Sequence, residues 1–275
     1  MIENVFPSGI LSAFIVKYSF IDIPFHIPVE KCIPDGSVKL FIYEGDYYAD
    51  YFSSNGNRLD WKDGLSAHCL SNDCYIEVPK KGLRLTICYF KASMFYQLFK
   101  IPIYLMNDGI MDLDEILGPD YRSLKDQLVN SADNNERAEI LNRYFEKQVR
   151  KSKFLLNSAV NLSENCIMRQ QGNININALM SDLNISRRTL ERKFIDEIGM
   201  SPKMFCKIIR FNYAFLLKKI RPTATWQEIV YQCGYYDQSH YIAEFKYFAG
   251  FPPSVYYDKD VTISSLYVGS FIEKK

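Results

Sequence analysis

The run RTLERKFIDEIGMSP at residues 188–202 decides the fold, because a similar run, SHYIAEFKYFAGFPP, follows at residues 239–253. Three pairs of positions correspond: Phe194 with Phe245, Gly199 with Gly250, and Pro202 with Pro253. A core position, a helix stop and a turn therefore recur in the same order. A solenoid needs about three or more stacked repeats. Two copies instead indicate a duplicated small helical unit.

The first copy has the pattern of a helix-turn-helix. A short helix is predicted to end at Leu183, capped by either Asn175 or Asn177; Asn175 gives this helix one complete apolar face. Asn184 then makes the turn, since Asn tolerates the left-handed conformation, and Ser186 caps the second helix. In this motif the second helix lies in the major groove of DNA.

The second copy repeats the pattern, and a long helix separates it from the first. We expect Thr225 to cap its first helix, Gly234 to make the turn, and Asp237 to cap its second helix. Between the copies, Pro202 is predicted to open a helix that continues to Ile220. This connector would fix one unit relative to the other.

The N-terminal half shows short apolar runs separated by turn residues. Strands are predicted at residues 14–20, 38–43, 67–70, 74–78 and 83–90. Asn55-Gly56 is a candidate two-residue hairpin turn. The pattern predicts an antiparallel barrel or sandwich, so the whole chain belongs to the α+β class.

Helical periodicity begins after Ala92. Two short helices are predicted at residues 93–99 and 111–118. Two amphipathic helices follow around 121–128 and 138–149, and a further helix runs from near residue 154 to Gly172. The amphipathic pair either packs on its own domain or presents its outer face to a second copy of the chain.

Charge is unevenly distributed along the sequence. Residues 172–257 contain 11 Lys or Arg against 7 Asp or Glu, whereas residues 1–171 contain 19 against 22. The repeat region is therefore the basic half, which is compatible with phosphate binding. Seven scattered Cys, no signal peptide and no apolar run approaching about 18 residues predict a cytoplasmic protein with reduced thiols and no membrane span.

The sequence offers little for catalysis or metal binding. Its only histidines are His26, His68 and His240, and they lack the spacing of a metal-dependent cupin. A ligand set built from His68-Cys69 with Cys74 and Cys32 is the disfavoured alternative. Glycine-rich phosphate loops are absent from the sequence. We therefore expect no enzyme activity, no metal and no cofactor.

Four strings in the repeat region resemble the DNA-binding domain of AraC/XylS-type regulators. They are LNISRRTL at 183–190, GMSP at 199–202, IVYQCGY at 229–235 and GFPPSVY at 250–256. The N-terminal half resembles the cupin-like sensory part of such regulators, through IPDGSVKL at 33–40, VPKKGLRL at 78–85 and DLDEILG at 112–118. The resemblance implies a cupin-like sensing or dimerisation domain at residues 1–151, a double helix-turn-helix domain at 152–258 and a C-terminal tail at 259–275.

The resemblance also implies which residues meet DNA. Base-facing positions are Arg188, Glu191 and Arg192 in the first unit and Gln238 and Ser239 in the second. Phosphate-contact candidates are Lys193, Lys207, Arg210, His240 and Lys246. Ala243 stands where the family often has Arg, which weakens the case for base recognition by the second unit. No ligand-binding residues are predicted.

The main hypothesis is therefore a sequence-specific transcription regulator that binds double-stranded DNA. A small-molecule effector, another protein or a second copy of the chain would act through the N-terminal domain; a constitutive regulator with no ligand is a further hypothesis. The rival hypothesis is a cupin-type enzyme or small-molecule carrier whose helical half only binds a partner.

Overall fold

The computed structural model describes residues 2–44, 49–53, 56, 58–59, 64–66, 74–106 and 111–257. A β-rich N-terminal region is followed by an all-helical region, as the sequence predicts. The strand predicted at 67–70 and the tail at 259–275 lie outside the described residues.

The described strands are antiparallel and form two sheets. They are β1 (Ile2–Val5), β2 (Ile15–Ile23), β3 (Ile27–Lys31), β4 (Ser37–Tyr43), β5 (Asp50–Ser53), β6 (Arg58–Leu59), β7 (Gly64–Ser66), β8 (Cys74–Val78), β9 (Leu83–Lys91) and β10 (Met111–Asp112). The larger sheet has the order β1-β2-β9-β4-β7-β10, and the smaller has β3-β8-β5-β6. Among the described strands the architecture is therefore a pair of sheets, not a closed barrel.

Side chains from both sheets share one apolar cluster. Ile21 and Leu85 enter it from the larger sheet, and Ile76 enters it from the smaller. The hydroxyl groups of Tyr43 and Tyr51 hydrogen-bond at 2.8 Å, which satisfies two polar groups that would otherwise be costly to bury. This cluster joins the two sheets.

The strands on either side of the predicted hairpin turn at Asn55-Gly56 pair with each other. β5 and β6 are antiparallel with Phe52 opposite Arg58, but Asn55 of the predicted turn lies outside the described residues. Gly56 has a positive φ of 80°, which glycine adopts without steric cost.

The described helices follow the predicted order. They are α1 (Ala92–Phe99), α2 (Leu113–Leu117), α3 (Asp120–Val129), α4 (Asn134–Lys151), α5 (Ala159–Arg169), α6 (Ile176–Asp182), α7 (Arg187–Ile198), α8 (Pro202–Ile220), α9 (Trp226–Gln232), α10 (Gln238–Ala249) and α11 (Pro253–Tyr257). α5 begins later than predicted, because Ser158 supplies its N-cap by accepting a hydrogen bond from the backbone N–H of Asn161.

A second apolar cluster extends through both regions of the chain. It includes Phe90 of β9 and Phe145 of α4, whose ring centroids are 5.2 Å apart, and it continues to Phe205 and Phe211 of α8. The helical region therefore packs directly against the β-rich region and is not connected to it by a linker alone.

Gly172 permits the close approach of α5 and α8. Its φ is 76°, and a Cβ at this position would lie 2.2 Å from the carbonyl oxygen of Cys206. Any larger residue would collide with the backbone of α8, so glycine is needed both for the turn and for the packing.

The described cysteines Cys32, Cys88, Cys166, Cys206 and Cys233 are free thiols. Burial raises the pKa of the Cys206 and Cys233 thiols to about 12, so both stay protonated at neutral pH. Within the described ranges, no cluster of His, Cys, Asp or Glu is arranged to hold a metal ion. None of the helices in this part of the chain is both long enough and apolar enough to cross a membrane.

Candidate nucleic-acid interface

The first helix-turn-helix unit consists of α6, a tight turn and α7. The side chain of Asn175 accepts hydrogen bonds from two backbone N–H groups of the first turn, at 2.9 and 3.2 Å, which confirms it as the cap of α6. Asn184 has a φ of 48° in the turn. Ser186 caps α7 by accepting a hydrogen bond from the backbone N–H of Thr189 at 3.3 Å. These local signals set the angle at which α7 leaves the turn.

Replacing the cap of α7 should loosen the first unit. We expect Ser186→Ala to lower the free energy of unfolding by about 1 kcal/mol, because a backbone donor at the helix start loses its partner. Urea denaturation monitored by circular dichroism measures the change. The matched control is Ser181→Ala, whose hydroxyl only donates to the Asn177 carbonyl within α6. An equal loss in both variants would contradict a specific capping role.

The second unit consists of α9, a turn and α10, and its predicted caps are confirmed. Thr225 and Glu228 form a reciprocal capping box at the start of α9. Gly234 makes the turn with a φ of 72°. Asp237 caps α10 by accepting a hydrogen bond from the backbone N–H of His240 at 2.7 Å. The second unit thus repeats the construction of the first with different cap residues.

The connector α8 joins the cores of the two units. The ring of Phe205 lies 6.3 Å from that of Phe194 in the first unit, and the ring of Phe211 lies 5.3 Å from that of Phe245 in the second. Both Phe194 and Phe245 are fully buried. Because the same helix packs into both cores, the two units are held at a fixed separation and orientation.

The predicted base-facing side chains of α7 lie together on its exposed face. Glu191 and Arg192 follow Arg188 by three and four residues, and all three are exposed, so both lie beside Arg188 on one side of the helix. Among the described residues they form no hydrogen bond or ion pair. By contrast, Arg187 donates a hydrogen bond to the side-chain oxygen of Asn177 at 2.9 Å. The face therefore presents two free guanidinium groups and one free carboxylate.

The corresponding face of α10 is uncharged at its start. Gln238 and Ser239 are exposed in the first turn, and Ala243 is exposed one turn later. Tyr236, in the preceding turn, is 93% exposed. Tyr236 was not singled out from the sequence, because a turn position carries no periodicity signal. Its hydroxyl is a donor of the kind that contacts phosphate.

Four of the predicted phosphate-contact residues are accessible. Lys246 and His240 are exposed on α10, whereas Lys193 of α7 and Lys207 of α8 are partly buried. The Nε2 atom of His240 lies 3.9 Å from a carboxylate oxygen of Glu244. These side chains are placed around the two units, but their accessibility alone does not distinguish phosphate binding from solvation.

Arg210, the fifth of these residues, lies inside the domain. Its Nη2 atom is 2.7 Å from Oε2 of Glu244, and the two side chains are only 16% and 4% exposed. Its guanidinium also lies 4.4 Å from the ring centroid of Tyr235. The Tyr235 hydroxyl donates a hydrogen bond to Oε1 of Glu244 at 2.7 Å. The cluster ties α8 to the second unit.

Burial and the charge of Glu244 shift the pKa values of the other two members of this cluster. Burial lowers the pKa of the Arg210 guanidinium, but the hydrogen bond and charge of Glu244 outweigh burial and raise this pKa overall. Burial, followed by the charge of Glu244, raises the pKa of the Tyr235 hydroxyl. Arg210 is therefore a permanent cation and Tyr235 a permanent hydrogen-bond donor at neutral pH.

The sequence contained a signal for this cluster. Glu244 stands three residues after Tyr241, and both are on the buried face of α10. A carboxylate on the core face of an amphipathic helix requires a buried partner. The periodicity identifies the need for a cation, but only the three-dimensional packing identifies it as Arg210.

The N-terminal region contacts all three parts of this interface. Burial raises the pKa of the Glu197 carboxyl near the end of α7, and the side chain of Gln97 in α1 acts in the opposite direction. The Lys31 ammonium donates to the carbonyl oxygen of Tyr247 in α10 at 3.0 Å. Asn212 of α8 donates to the carbonyl oxygen of Pro34 at 2.8 Å. The N-terminal region thus contacts α7 and α10 near their C-terminal ends, while the first turns of both helices stay exposed.

Comparisons with known proteins found solved structures and a family model that are similar to this chain. ToxT from Vibrio cholerae O395 aligns over 86% of this chain and 96% of its own, at 16% identity and a TM-score of 0.47. Wild-type ToxT from V. cholerae strain SCE256 bound to an unsaturated fatty acid aligns over 86% and 94%, at 18% identity and a TM-score of 0.46. No curated protein matches the chain. A family model described as a helix-turn-helix domain matches residues 179–259, which span both units and the connector. The match at residues 179–259 therefore places a helix-turn-helix domain in the C-terminal part of this chain.

Proposed function

We propose that the chain is a sequence-specific transcription regulator in which residues 152–258 recognise DNA and residues 1–151 control that recognition. The observation that supports this proposal is the pair of helix-turn-helix units held by α8, each with an open face at the start of its second helix. A rigid pair of such helices can occupy successive stretches of the major groove. We place the protein in the cytoplasm, where it would meet the chromosome.

The two units would contribute differently to recognition. Arg188 and Arg192 can each make a bidentate contact with guanine, and Glu191 can accept a hydrogen bond from cytosine. In the second unit, Gln238 and Ser239 can make polar contacts, but their side chains are shorter than those of Arg188 and Arg192. The first unit would therefore discriminate between bases, and the second would mainly fix the register of the protein on the duplex.

Backbone binding would come from the accessible donors around both units. We propose phosphate contacts for Lys193, Lys207, His240 and Lys246, and we add Tyr236 to this set. Arg210 is left out, because its guanidinium is occupied by Glu244.

Phosphate contact by Lys246 predicts a uniform loss of affinity. Lys246→Gln should weaken binding to cognate and unrelated duplexes by the same factor and should reduce the slope of log K against log salt by about 1. A fluorescence anisotropy titration at several salt concentrations measures both quantities. The control is Lys153→Gln, an exposed lysine outside the two units. A loss confined to one sequence would show that Lys246 contacts a base instead.

Control by the N-terminal region would act through its contacts with α7, α8 and α10. A ligand or partner that shifts β3 would change the placement of α10, because Lys31 of β3 hydrogen-bonds Tyr247 of α10. A shift of α1 would move Gln97, which acts on Glu197 of α7. The outer face of the α3–α4 pair is the proposed contact for a second copy of the chain. Sedimentation equilibrium with and without the operator duplex would test the oligomeric state.

The first test of the proposed function is the selection of duplexes from a random pool by the full chain. A regulator of this kind should enrich one defined site and show a steep fall in affinity with salt. Enrichment of no site, together with affinity that ignores sequence, would reject the proposal.

A further inference from the structure

A buried carboxyl group lies where the first reading helix meets the N-terminal region. Glu197 is in the last turn of α7 and is 7% exposed. Within the described residues, its Oε2 atom has no hydrogen-bond partner. A buried carboxylate oxygen without a partner is costly, because it has lost its water and gained no hydrogen bond in exchange. None of the DNA contacts proposed above uses this group.

The position of Glu197 within α7 adds to this cost. α7 ends at Ile198, so the carboxyl group lies at the C-terminal end of the helix. This end of a helix carries a partial negative charge, which repels a carboxylate. The neutral carboxyl group has no such repulsion, and its O–H can donate a hydrogen bond. The local geometry therefore favours the protonated form of Glu197 in the folded chain.

Polar and charged groups of α1 and of α7 itself act on this carboxyl group. They are Gln97, Lys193, Lys100 and Asp196. Burial raises the pKa of Glu197; Gln97 and the two ammonium groups act in the opposite direction, and Asp196 adds to the rise. Burial, followed by the charge of Glu197, raises the pKa of the Tyr96 hydroxyl in α1. The turn Ile103–Met106, which also contacts α7, carries no charged side chain. The direction of the pKa shift thus agrees with the geometry.

The other end of α1 is held by a carboxyl group whose oxygens are both paired. Oε1 of Glu164 in α5 accepts a hydrogen bond from the backbone N–H of Ala92 at 3.1 Å, and Oε2 accepts one from the hydroxyl of Ser93. The side chain of Asn161 also donates to the Ser93 hydroxyl oxygen, at 3.2 Å. Burial raises the pKa of Glu164, and the hydrogen bonds lower it. The start of α1 is therefore anchored on α5, and its contact with α7 near Glu197 is the less satisfied one.

We propose that Glu197 is a proton-linked latch between α7 and the N-terminal region. The neutral carboxyl group keeps the end of α7 docked on α1, and loss of its proton loosens this contact. A loosened α7 has more freedom to lose when it enters the major groove, so DNA binding weakens. The latch itself goes beyond the proposed function, and only its effect on DNA affinity rests on that function.

Raising the pH should loosen the latch. The pKa of Glu197 is raised from its ordinary value of 4.5, so between 4.5 and the raised pKa the docked chain holds a proton that the opened chain has lost. In that range the opening equilibrium constant should rise by about ten-fold per pH unit, because opening releases one proton. The stability that the neutral carboxyl group supplies is therefore fully present below pH 4.5 and is lost as the pH rises through the raised pKa.

Hydrogen exchange of the full chain between about pH 5 and about pH 8 measures this opening. After correction for the intrinsic exchange rate, the protection of amides in α1 and at the end of α7 should fall by up to about ten-fold per pH unit while Glu197 titrates. Glu197→Gln has a neutral side chain of the same shape, so its protection should stay constant over this range. The matched control is Asp182→Asn, at an exposed carboxylate at the end of α6, and it should follow the wild type.

A ¹³C NMR titration of the glutamate carboxyl groups tests the protonation of Glu197 in a chain that keeps this residue. Both Glu164 and Glu197 should titrate above 4.5, and Glu164→Gln should retain one such signal. Circular dichroism and the melting temperature verify that the glutamine variants fold. No signal above the ordinary value in Glu164→Gln, or an equal loss of protection with pH in Glu197→Gln and the wild type, would overturn the proposal.

Anisotropy with the selected duplex at the same pH values separates the latch from the proposed function. Other titrating groups, among them His240, are common to the wild type and Glu197→Gln, so the difference between the two chains reports Glu197 alone. Wild-type affinity that falls more steeply with rising pH than that of the variant supports both proposals. Protection that depends on Glu197 in a chain that recognises no duplex supports the latch and rejects the proposed function. Sequence-specific binding with equal protection in both chains rejects only the latch.

Discussion

Arg192→Ala should abolish the preference for one base pair of the operator while leaving the other positions unchanged. Among the described residues Arg192 is exposed and makes no hydrogen bond or ion pair, and it lies on the face of α7 that we propose enters the major groove. A bidentate contact between arginine and guanine contributes about 1–3 kcal/mol of discrimination. Affinity for the best site should therefore fall by roughly 5- to 150-fold, as measured by anisotropy on a set of singly substituted duplexes.

The matched control for this prediction is Lys203→Ala, which removes an exposed cation of α8 that lies outside the proposed contact set. Its base preferences should equal those of the wild type. If Arg192→Ala instead weakened every duplex by the same factor, Arg192 would be a phosphate contact, and base recognition would have to rest on Arg188 and Glu191.

Glu244→Leu should lower the free energy of unfolding by about 3–5 kcal/mol. The substitution leaves the buried guanidinium of Arg210 without its carboxylate, and removing one partner of a buried pair carries a penalty of this size. It also removes the acceptor of the Tyr235 hydroxyl. Thermal and urea denaturation of the full chain measure the loss.

Two further variants separate the ion pair from general damage to α10. The double substitution Arg210→Leu with Glu244→Leu should recover much of the stability, because an apolar pair has no uncompensated charge. Glu191→Gln, at an exposed carboxylate, should change stability by less than about 0.5 kcal/mol. A double variant as unstable as Glu244→Leu alone would contradict the explanation by unpaired charge.

The helical units could be predicted in detail because their signals are local. Each cap and turn, such as Ser186, Asp237 and Gly234, is specified by residues within four positions along the chain. The long helix opened by Pro202 is confirmed for the same reason. When the cap residue and the spacing of the apolar residues indicate the same helix, local hydrogen bonding allows few other structures for that segment.

Features that depend on distant contacts were not predicted. The strands β1 and β3 were missed, since β1 exists by pairing with β2 and β3 by pairing with β8. The start of α5 was placed too early, because apolar residues before Ser158 extend the helical pattern past its true cap. The ion pair of Arg210 joins residues that are far apart in sequence, so Arg210 resembled a surface cation.

The continuous core shared by the two regions has a consequence for how the protein unfolds. Gly36 lies so close to α8 that a Cβ there would be 2.9 Å from the ring of Phe205. Separating the regions would expose Phe205 and its apolar neighbours to water. The free-energy cost of this exposure grows with the apolar area exposed. The chain should therefore lose its structure in a single cooperative transition, and a fragment that carries only the helical units should aggregate through the uncovered face of α8.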